Sequence, residues 1–296
     1  KTRLLWVYEG LTEYLGFVLA ARSGLNTPEI ARENWALVAD WARNQTGRTW
    51  RPLEDTTAAA PHLYSSRNDW SRRRRSVDFY DEGALLWLDA DTLIREKTAG
   101  KKSLDDFCRA FHGGKSGPPE VKPYTFDDVV QTLTGVVEHD WKEFLEKRLT
   151  STSPEPPLDG LTRGGWKLVY RDKPGDLLKA RDAEEKSVDL TTALGLLLKD
   201  DGTVIDVVPG KSAERAGVGP GMKLVGVNGR RLSTERMRQA VAATRQGGKL
   251  SLLLENGDYF QTVALDYSDG EKYPHLERES GKPDLLADIF RPRVSK

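Results

Sequence analysis

LWVYEGLTEY, residues 5–14, is the stretch that decides how the first half of this 296-residue chain folds. Apolar side chains recur three and four residues apart from its start, which is the period of a helix with one buried face. This row comprises Leu5, Tyr8, Leu11, Leu15, Val18 and Leu19. We therefore predict a helix over Leu4–Arg22 that ends near Gly24. Within it, Glu9 should point inward, and Gly10 should let a facing backbone approach closely.

The rest of the first half also has the pattern of helices. Their starts are marked either by proline in the first turn or by a hydroxyl three residues before an acid. The predicted helices run from Pro28 to about Asn44, over Val77–Thr98, and onward from Ser103, Thr125 and Asp140. Residues 45–76 are predicted to be a long polar connection, in which Arg72–Arg75 lies in a solvated loop.

Residues 151–160 form a predicted linker, because small polar residues and prolines there propagate neither helix nor strand. Beyond it, the apolar period changes to that of strands. Strands are predicted at 166–170, 194–198, 204–208, 223–227, 250–254 and 259–265, with helices at 212–216 and 234–245. The chain is thus predicted to be an α+β multidomain protein: an all-α part over 1–150, a mainly β module over 161–268, and a tail over 269–296 that packs back on the body.

Composition excludes several classes of protein. Lysine plus arginine and aspartate plus glutamate number 45 each, so the net charge of zero argues against a nucleic-acid partner. The single cysteine, Cys108, allows no intrachain disulfide and no multi-cysteine metal site. No apolar stretch approaches the ~20 residues of a membrane span. The compartment stays open between the cytoplasm and the periplasm of a bacterium.

The pattern W-x-x-E-G-x-T-x-Y over residues 6–14 resembles the helix that carries the third metal ligand in the glycyl aminopeptidase family of zinc metallopeptidases, which is of thermolysin-like (gluzincin) type. The resemblance implies that Glu9 is a zinc ligand and that an H-E-x-x-H helix supplies the other two. The chain has no such helix, since its four histidines are scattered. Judged alone, Glu9 could also be a solvated helical glutamate.

The resemblance also sets an expectation for the whole protein. The chain should be the C-terminal part of a longer catalytic domain, and its partner would be the N-terminal part that carries H-E-x-x-H. Without that part it should be inactive. It should also expose apolar surface that favours association with another chain, a second copy included.

A second match, FYDEGALL at residues 79–86, resembles the Y-x-K-G-A segment of the same peptidases. There the tyrosine hydroxyl donates a hydrogen bond to the developing oxyanion, so the resemblance implies this role for Tyr80. Glu82 departs from the family, whose members usually carry lysine, which puts the exact substrate contacts in doubt. The alternative is that Tyr80 is a buried core residue.

The order G-x-x-L-x-x-V-N-G at residues 221–229 resembles a bacterial PDZ domain, with a strand that ends in a tight Asn-Gly turn. Such domains capture the C-terminus of a peptide by adding it as a strand to a sheet edge. The resemblance implies that the loop Ala193, Leu194, Gly195 and Leu196 receives the terminal carboxylate and that the helix from Thr234 forms the other wall. Ala193 departs from the usual G-L-G-F, so a structural or substrate-guiding role remains the alternative.

Together these features predict a fragment of a zinc-dependent aminopeptidase that removes small N-terminal residues, glycine or alanine, from peptides. The alternative is a non-catalytic adaptor or scaffold protein that acts through its PDZ domain. An H-E-x-x-H motif upstream would favour the enzyme.

Overall fold

A computed structural model describes residues 3–65, 69–114, 117–118 and 120–294 of the chain. Helices make up the first half. They are α1 (Leu5–Arg22), α2 (Pro28–Arg43), α3 (Leu53–Leu63), α4 (Ser71–Arg74), α5 (Asp81–Lys97), α6 (Leu104–His112), α7 (Phe126–Val136), α8 (Trp141–Thr150) and α9 (Asp159–Arg163). A 3₁₀ turn covers Thr46–Thr49.

The second half mixes short helices with strands. The strands are β1 (Trp166–Arg171), β2 (Ser187–Leu190), β3 (Leu196–Lys199), β4 (Val204–Val207), β5 (Lys223–Val227), β6 (Arg230–Arg231), β7 (Leu250–Asn256), β8 (Tyr259–Leu265) and β9 (Tyr273–Arg278). The helices are α10 (Asp176–Glu185), α11 (Thr191–Leu194), α12 (Ser212–Arg215), α13 (Thr234–Ala243) and α14 (Leu285–Phe290). The antiparallel sheets have the orders β1-β9, β2-β3-β4 and β6-β5-β7-β8. The predicted α+β class is confirmed.

The predicted helix starts at Pro28, Ser103, Thr125 and Asp140 are confirmed by their caps, whereas the helix predicted from Val77 begins only at Asp81, as α5. The side chain of Thr27 accepts a hydrogen bond from the backbone of Ile30 at the start of α2. Ser103 and Thr125 each form a complete capping box, in which the side chain and backbone satisfy each other's free donors at the helix start. These local signals fix where helices begin, independently of how the helices pack.

Two hydrophobic cores organise the chain. The first lies among the helices, and the second among β2–β5, β7, β8 and α13. Leu161 of α9 and Phe290 of α14 are buried in the first core, and β1 and β9 pack against it. Residues 159–171 therefore contact the helical body, although the predicted linker ended at 160 and the predicted β module began at 161. These contacts favour a later start of the β module, and the boundaries themselves stay a prediction.

The connection over 45–76 was predicted wrongly. It contains α3, α4 and the 3₁₀ turn, and its last arginine, Arg75, is fully buried. The arginine run is thus partly a structural element, because Arg75 forms ion pairs inside the helical body. Among the residues that the structure describes, no helix is both long and apolar enough to cross a bilayer.

Candidate functional site

The helices α1 and α5 cross at two glycines. A Cβ atom added to Gly10 would lie 2.8 Å from the Cα of Gly83 and 3.0 Å from the carbonyl oxygen of Phe79. A Cβ on Gly83 would in turn lie 2.8 Å from the Cα of Gly10. The backbones therefore touch at a spacing that only hydrogen side chains permit. The expected close approach at Gly10 is confirmed, and its partner is Gly83.

Aromatic and polar contacts fix this crossing on both sides. The rings of Trp6 and Trp87 stack with their centroids 5.6 Å apart, and the indole N–H of Trp87 donates to the backbone oxygen of Trp6 at 2.9 Å. Further along the same two helices, the Tyr14 hydroxyl donates to the Asp91 carboxylate at 2.6 Å. All four side chains are buried, so the angle and register of the crossing are strongly constrained.

The crossing brings the two predicted site residues together. Glu9 directly precedes Gly10, and Tyr80 directly precedes the first turn of α5, which contains Gly83. Burial raises the pKa of Tyr80, and hydrogen bonds with Tyr64 and Glu9 raise it further. The Tyr80 hydroxyl is thus a neutral donor next to a carboxylate. Both side chains are half-buried, at the edge of the helical body.

Tyr64 is a neighbour that the sequence did not indicate. Its hydroxyl lies 2.8 Å from that of Tyr80, and its ring packs edge-on against Phe79 with centroids 6.4 Å apart. Tyr64 follows α3, which falls in the stretch read as a connection. No local pattern marks it, because its contact with Tyr80 depends on where α3 packs within the helical body.

The departure at Glu82 has a structural explanation. Its buried carboxylate pairs with both Arg48 and Arg75, and Arg75 also contacts Asp78 at 2.7 Å. Two cations thus take the place of the solvent that a glutamate normally requires. Glu82 stabilises the stretch between α2 and α5, and its carboxylate is fully engaged there.

The surroundings of the crossing are acidic. Burial raises the pKa of Glu13, one turn after Glu9. Burial, followed by the charge of Glu13, raises the pKa of Asp81 to about 6. Among the described residues, no group of three or more histidines, cysteines or acids could hold a metal ion. Glu9 can therefore provide one ligand to a metal but not a complete site, and a catalytic zinc would need two more.

The predicted carboxylate loop lies between β2 and β3. Ala193, Leu194 and Leu196 are buried, and Gly195 has a positive φ of 73° that favours glycine. β3, which follows this loop, is paired on both sides, with β4 on one edge and β2 on the other. The edge at which a peptide would add is thus already hydrogen-bonded to the chain itself.

Polar contacts join this loop to the helical body. The Asp40 carboxylate on α2 accepts hydrogen bonds from Thr192 at 2.7 Å and from Tyr170 at 2.9 Å. Burial raises the pKa of Asp40, whereas these two bonds lower it. Burial also lowers the pKa of nearby Lys211 to about 8. A network this buried favours one fixed arrangement of the loop on α2.

Comparison with known proteins supports both resemblances. Residues 1–86 match the model of the M61 glycyl aminopeptidase family, and residues 183–255 match that of the PDZ domain. No curated protein matches the chain. Among solved structures, it is similar to an aminopeptidase N family protein from Idiomarina loihiensis, at 19% identity and a TM-score of 0.64, over 98% of this chain and 49% of that one.

The chain thus spans about half the length of that relative, and at this identity the likeness shows the fold alone. The resemblance to glycyl aminopeptidases and the presence of a PDZ domain are confirmed on the matched residues.

Proposed function

We propose that this chain is the C-terminal part of a zinc-dependent aminopeptidase that removes small N-terminal residues, glycine or alanine, from peptides. Glu9 would be the third zinc ligand and Tyr80 the hydroxyl that stabilises the oxyanion. The observation that carries the proposal is the Gly10–Gly83 contact, because it sets a carboxylate and a neutral phenol side by side at the edge of one rigid crossing.

Glu9 suits a ligand that completes a site built elsewhere. It lies on α1, which stacked and buried aromatic rings hold against α5, so its backbone position is constrained. Two histidines would come from an H-E-x-x-H helix outside these 296 residues, together with the glutamate that acts as general base. Zinc in such sites polarises the scissile carbonyl and lowers the pKa of bound water.

Tyr80 suits the oxyanion role because it stays protonated. Its raised pKa keeps the hydroxyl a donor at any physiological pH. The hydroxyl of Tyr64 lies within hydrogen-bond distance and would restrict the rotation of the Tyr80 O–H. A donor that is already oriented costs little reorganisation when negative charge develops on the substrate oxygen.

Metal content tests the ligand directly, in a protein that contains this chain together with an H-E-x-x-H helix. Glu9→Ala is expected to weaken zinc binding by at least ~100-fold, since even outer partners of zinc ligands contribute about 10–100-fold. Glu13→Ala, one turn along the same helix, is the matched control and should keep its zinc. Full zinc in the Glu9 variant would contradict the ligand assignment, and the absence of H-E-x-x-H upstream would contradict the enzyme.

Steady-state kinetics of the same protein test the hydroxyl. Tyr80→Phe should lower kcat by about 10²–10³-fold, as removal of one oxyanion donor does, while the zinc content is unchanged. Tyr64→Phe should cost less, because it removes only the group that orients the donor. Equal losses in both variants would argue that the phenols act through packing.

The adaptor alternative is supported by the PDZ match over residues 183–255, but by none of the contacts described above. An adaptor would need an accessible strand edge for its partner, and β3 has partners on both edges. The peptidase hypothesis therefore explains more of the described contacts than the adaptor hypothesis does.

A further inference from the structure

We infer that the peptide groove of the PDZ unit is filled by the chain's own strand β2, Ser187-Val188-Asp189-Leu190, which takes the place of a bound C-terminal peptide. This inference concerns the second core and is independent of the peptidase proposal. It also gives the groove a specificity: it fits an extended peptide with apolar residues at its last and third-last positions.

The register of the strands carries the inference. β2 runs antiparallel to β3, with Leu190 opposite Leu196 and Val188 opposite Leu198. A PDZ ligand adds as a strand to this same kind of edge, next to the carboxylate loop, with alternate side chains in pockets. Leu190 lies where the last residue of such a ligand would lie, because it faces the first residue after the loop. Val188 and Leu190 are both buried in the second core.

The loop that would receive a carboxylate is already satisfied. The backbone N–H of Gly195 donates to the backbone oxygen of Thr191 at 3.0 Å. The Lys211 ammonium donates to the backbone oxygens of Thr191 and Thr192, each at 2.9 Å. Thr191 directly follows Leu190, so its carbonyl oxygen stands where a terminal carboxylate would accept these hydrogen bonds.

The other wall of the groove also meets the occupying segment. A cavity is lined jointly by Lys186 and Ser187, at the start of β2, and by Thr234 and Arg238 of α13. Arg238 further pairs with Asp182 of α10 at 2.6 Å. The segment α10–β2 is therefore held against the helix that would flank a ligand.

The same segment is attached to the helical body. The backbone N–H of Leu177, at the start of α10, donates to the Glu33 carboxylate of α2 at 2.8 Å. A carboxylate at a helix N-terminus is stabilised by the free N–H groups there. At the other end of the segment, Thr192 bonds Asp40. Opening the groove would disturb both attachments, so the filled groove also joins the two cores.

The test is a titration of the full chain with a fluorescent heptapeptide of the sequence of residues 184–190, EEKSVDL, with a free carboxyl end. Val188→Asp places a charge in the second core and should release β2. If the native groove is open about 1% of the time and the variant's about half, the apparent Kd should fall by about 50-fold. Ser187→Asp is the matched control: it adds the same charge on the opposite face of β2 and should bind like the native chain.

A cross-strand disulfide tests the converse. The backbone N–H of Asp200 donates to the backbone oxygen of Lys186, so these two residues form a hydrogen-bonded pair. Because such pairs alternate along an antiparallel ladder, 188/198 and 190/196 are also hydrogen-bonded pairs. The pair between them, 189/197, is not hydrogen-bonded, and its Cα atoms therefore lie closer together. Asp189→Cys with Leu197→Cys, in a Cys108→Ser background, should form a disulfide. The oxidised variant should bind no peptide, and reduction should restore the native level.

Three results would overturn the inference: native binding as tight as that of Val188→Asp, no binding by a folded Val188→Asp chain, or binding by the oxidised variant. If Val188→Asp abolishes the sheet, hydrogen exchange of the native chain decides. Slow exchange of the amides of Leu196 and Leu198 supports an occupied edge, and exchange at the rate of unpaired amides refutes it.

Discussion

Gly10→Ala is the substitution that tests the helix crossing most directly. The new methyl carbon would lie 2.8 Å from Gly83 Cα and 3.0 Å from Gly83 C and Phe79 O. Carbon atoms in proteins prefer separations of about 3.5–4.0 Å, so α1 and α5 must move apart by roughly 0.7–1.2 Å. All three contacts are with backbone atoms, which cannot rotate away as a side chain would.

The expected magnitude follows from two opposing effects. Overpacking a core contact costs about 1–3 kcal/mol, and replacing glycine with alanine inside a helix gains about 1 kcal/mol. Gly16 lies on the same helix with nothing within 4 Å of an added Cβ. Gly16→Ala should therefore show the gain alone, and the free energy of unfolding should be about 1–3 kcal/mol lower for Gly10→Ala than for Gly16→Ala.

Urea unfolding, followed by tryptophan fluorescence, measures this difference, since Trp6 and Trp87 stack beside the crossing. In the protein with its complete zinc site, the same displacement moves Glu9 away from Tyr80, and about 1 Å of misplacement can cost ~10²-fold in rate. Equal stabilisation by Gly10→Ala and Gly16→Ala would refute the close contact. Reduced stability with unchanged activity would refute the link from the crossing to the site.

Two further predictions concern charges near the site. Glu82→Lys introduces the residue usual in the relatives. It should lower the free energy of unfolding in urea by at least about 3–5 kcal/mol, because Arg48 and Arg75 would be left buried with a third cation. A Glu82→Lys chain as stable as a Glu82→Gln chain would contradict this. Asp81, with a pKa raised from 3.8 to about 6, binds its proton more tightly when folded, so stability should fall as pH rises from about 4 to about 6. Glu13→Gln should lower the pKa of Asp81 in an NMR titration, and an unchanged value would assign the raised pKa to burial and the charge of Asp78.

Local signals in the sequence account for the features that were predicted correctly. The capping boxes at Ser103 and Thr125 depend only on residues within one turn, so their helix starts can be read without the fold. Gly10 likewise indicates that another backbone packs closely against α1, because glycine inside a helix is otherwise unfavourable. The identity of the partner, Gly83, is a matter of packing between distant segments, and no single pattern gives it.

Non-local pairing explains what was missed. Arg75 stands in a run of arginines that is typical of a solvated loop, and only the carboxylates of Glu82 and Asp78 make its burial favourable. β1 pairs with β9, about 100 residues later, and neither strand indicates the other in the sequence. The pairing of β2 with β3 was missed for a related reason: SVDL is too short for its period to distinguish a strand from a loop.

The proposed peptidase site and the groove of the PDZ unit are connected by one element, α10. Its Arg181 lowers the pKa of Asp81, opposing the effects of burial and of Glu13, and its first turn is held by Glu33 of α2. The strand that follows α10, β2, pairs with β3 and fills the groove in our inference. A peptide that displaced β2 would therefore change the charge environment at the start of α5, and by thermodynamic reciprocity protonation at Asp81 would change the affinity of the groove for that peptide. Coupling of this kind requires no movement of the Gly10–Gly83 crossing, because charges act on one another through space.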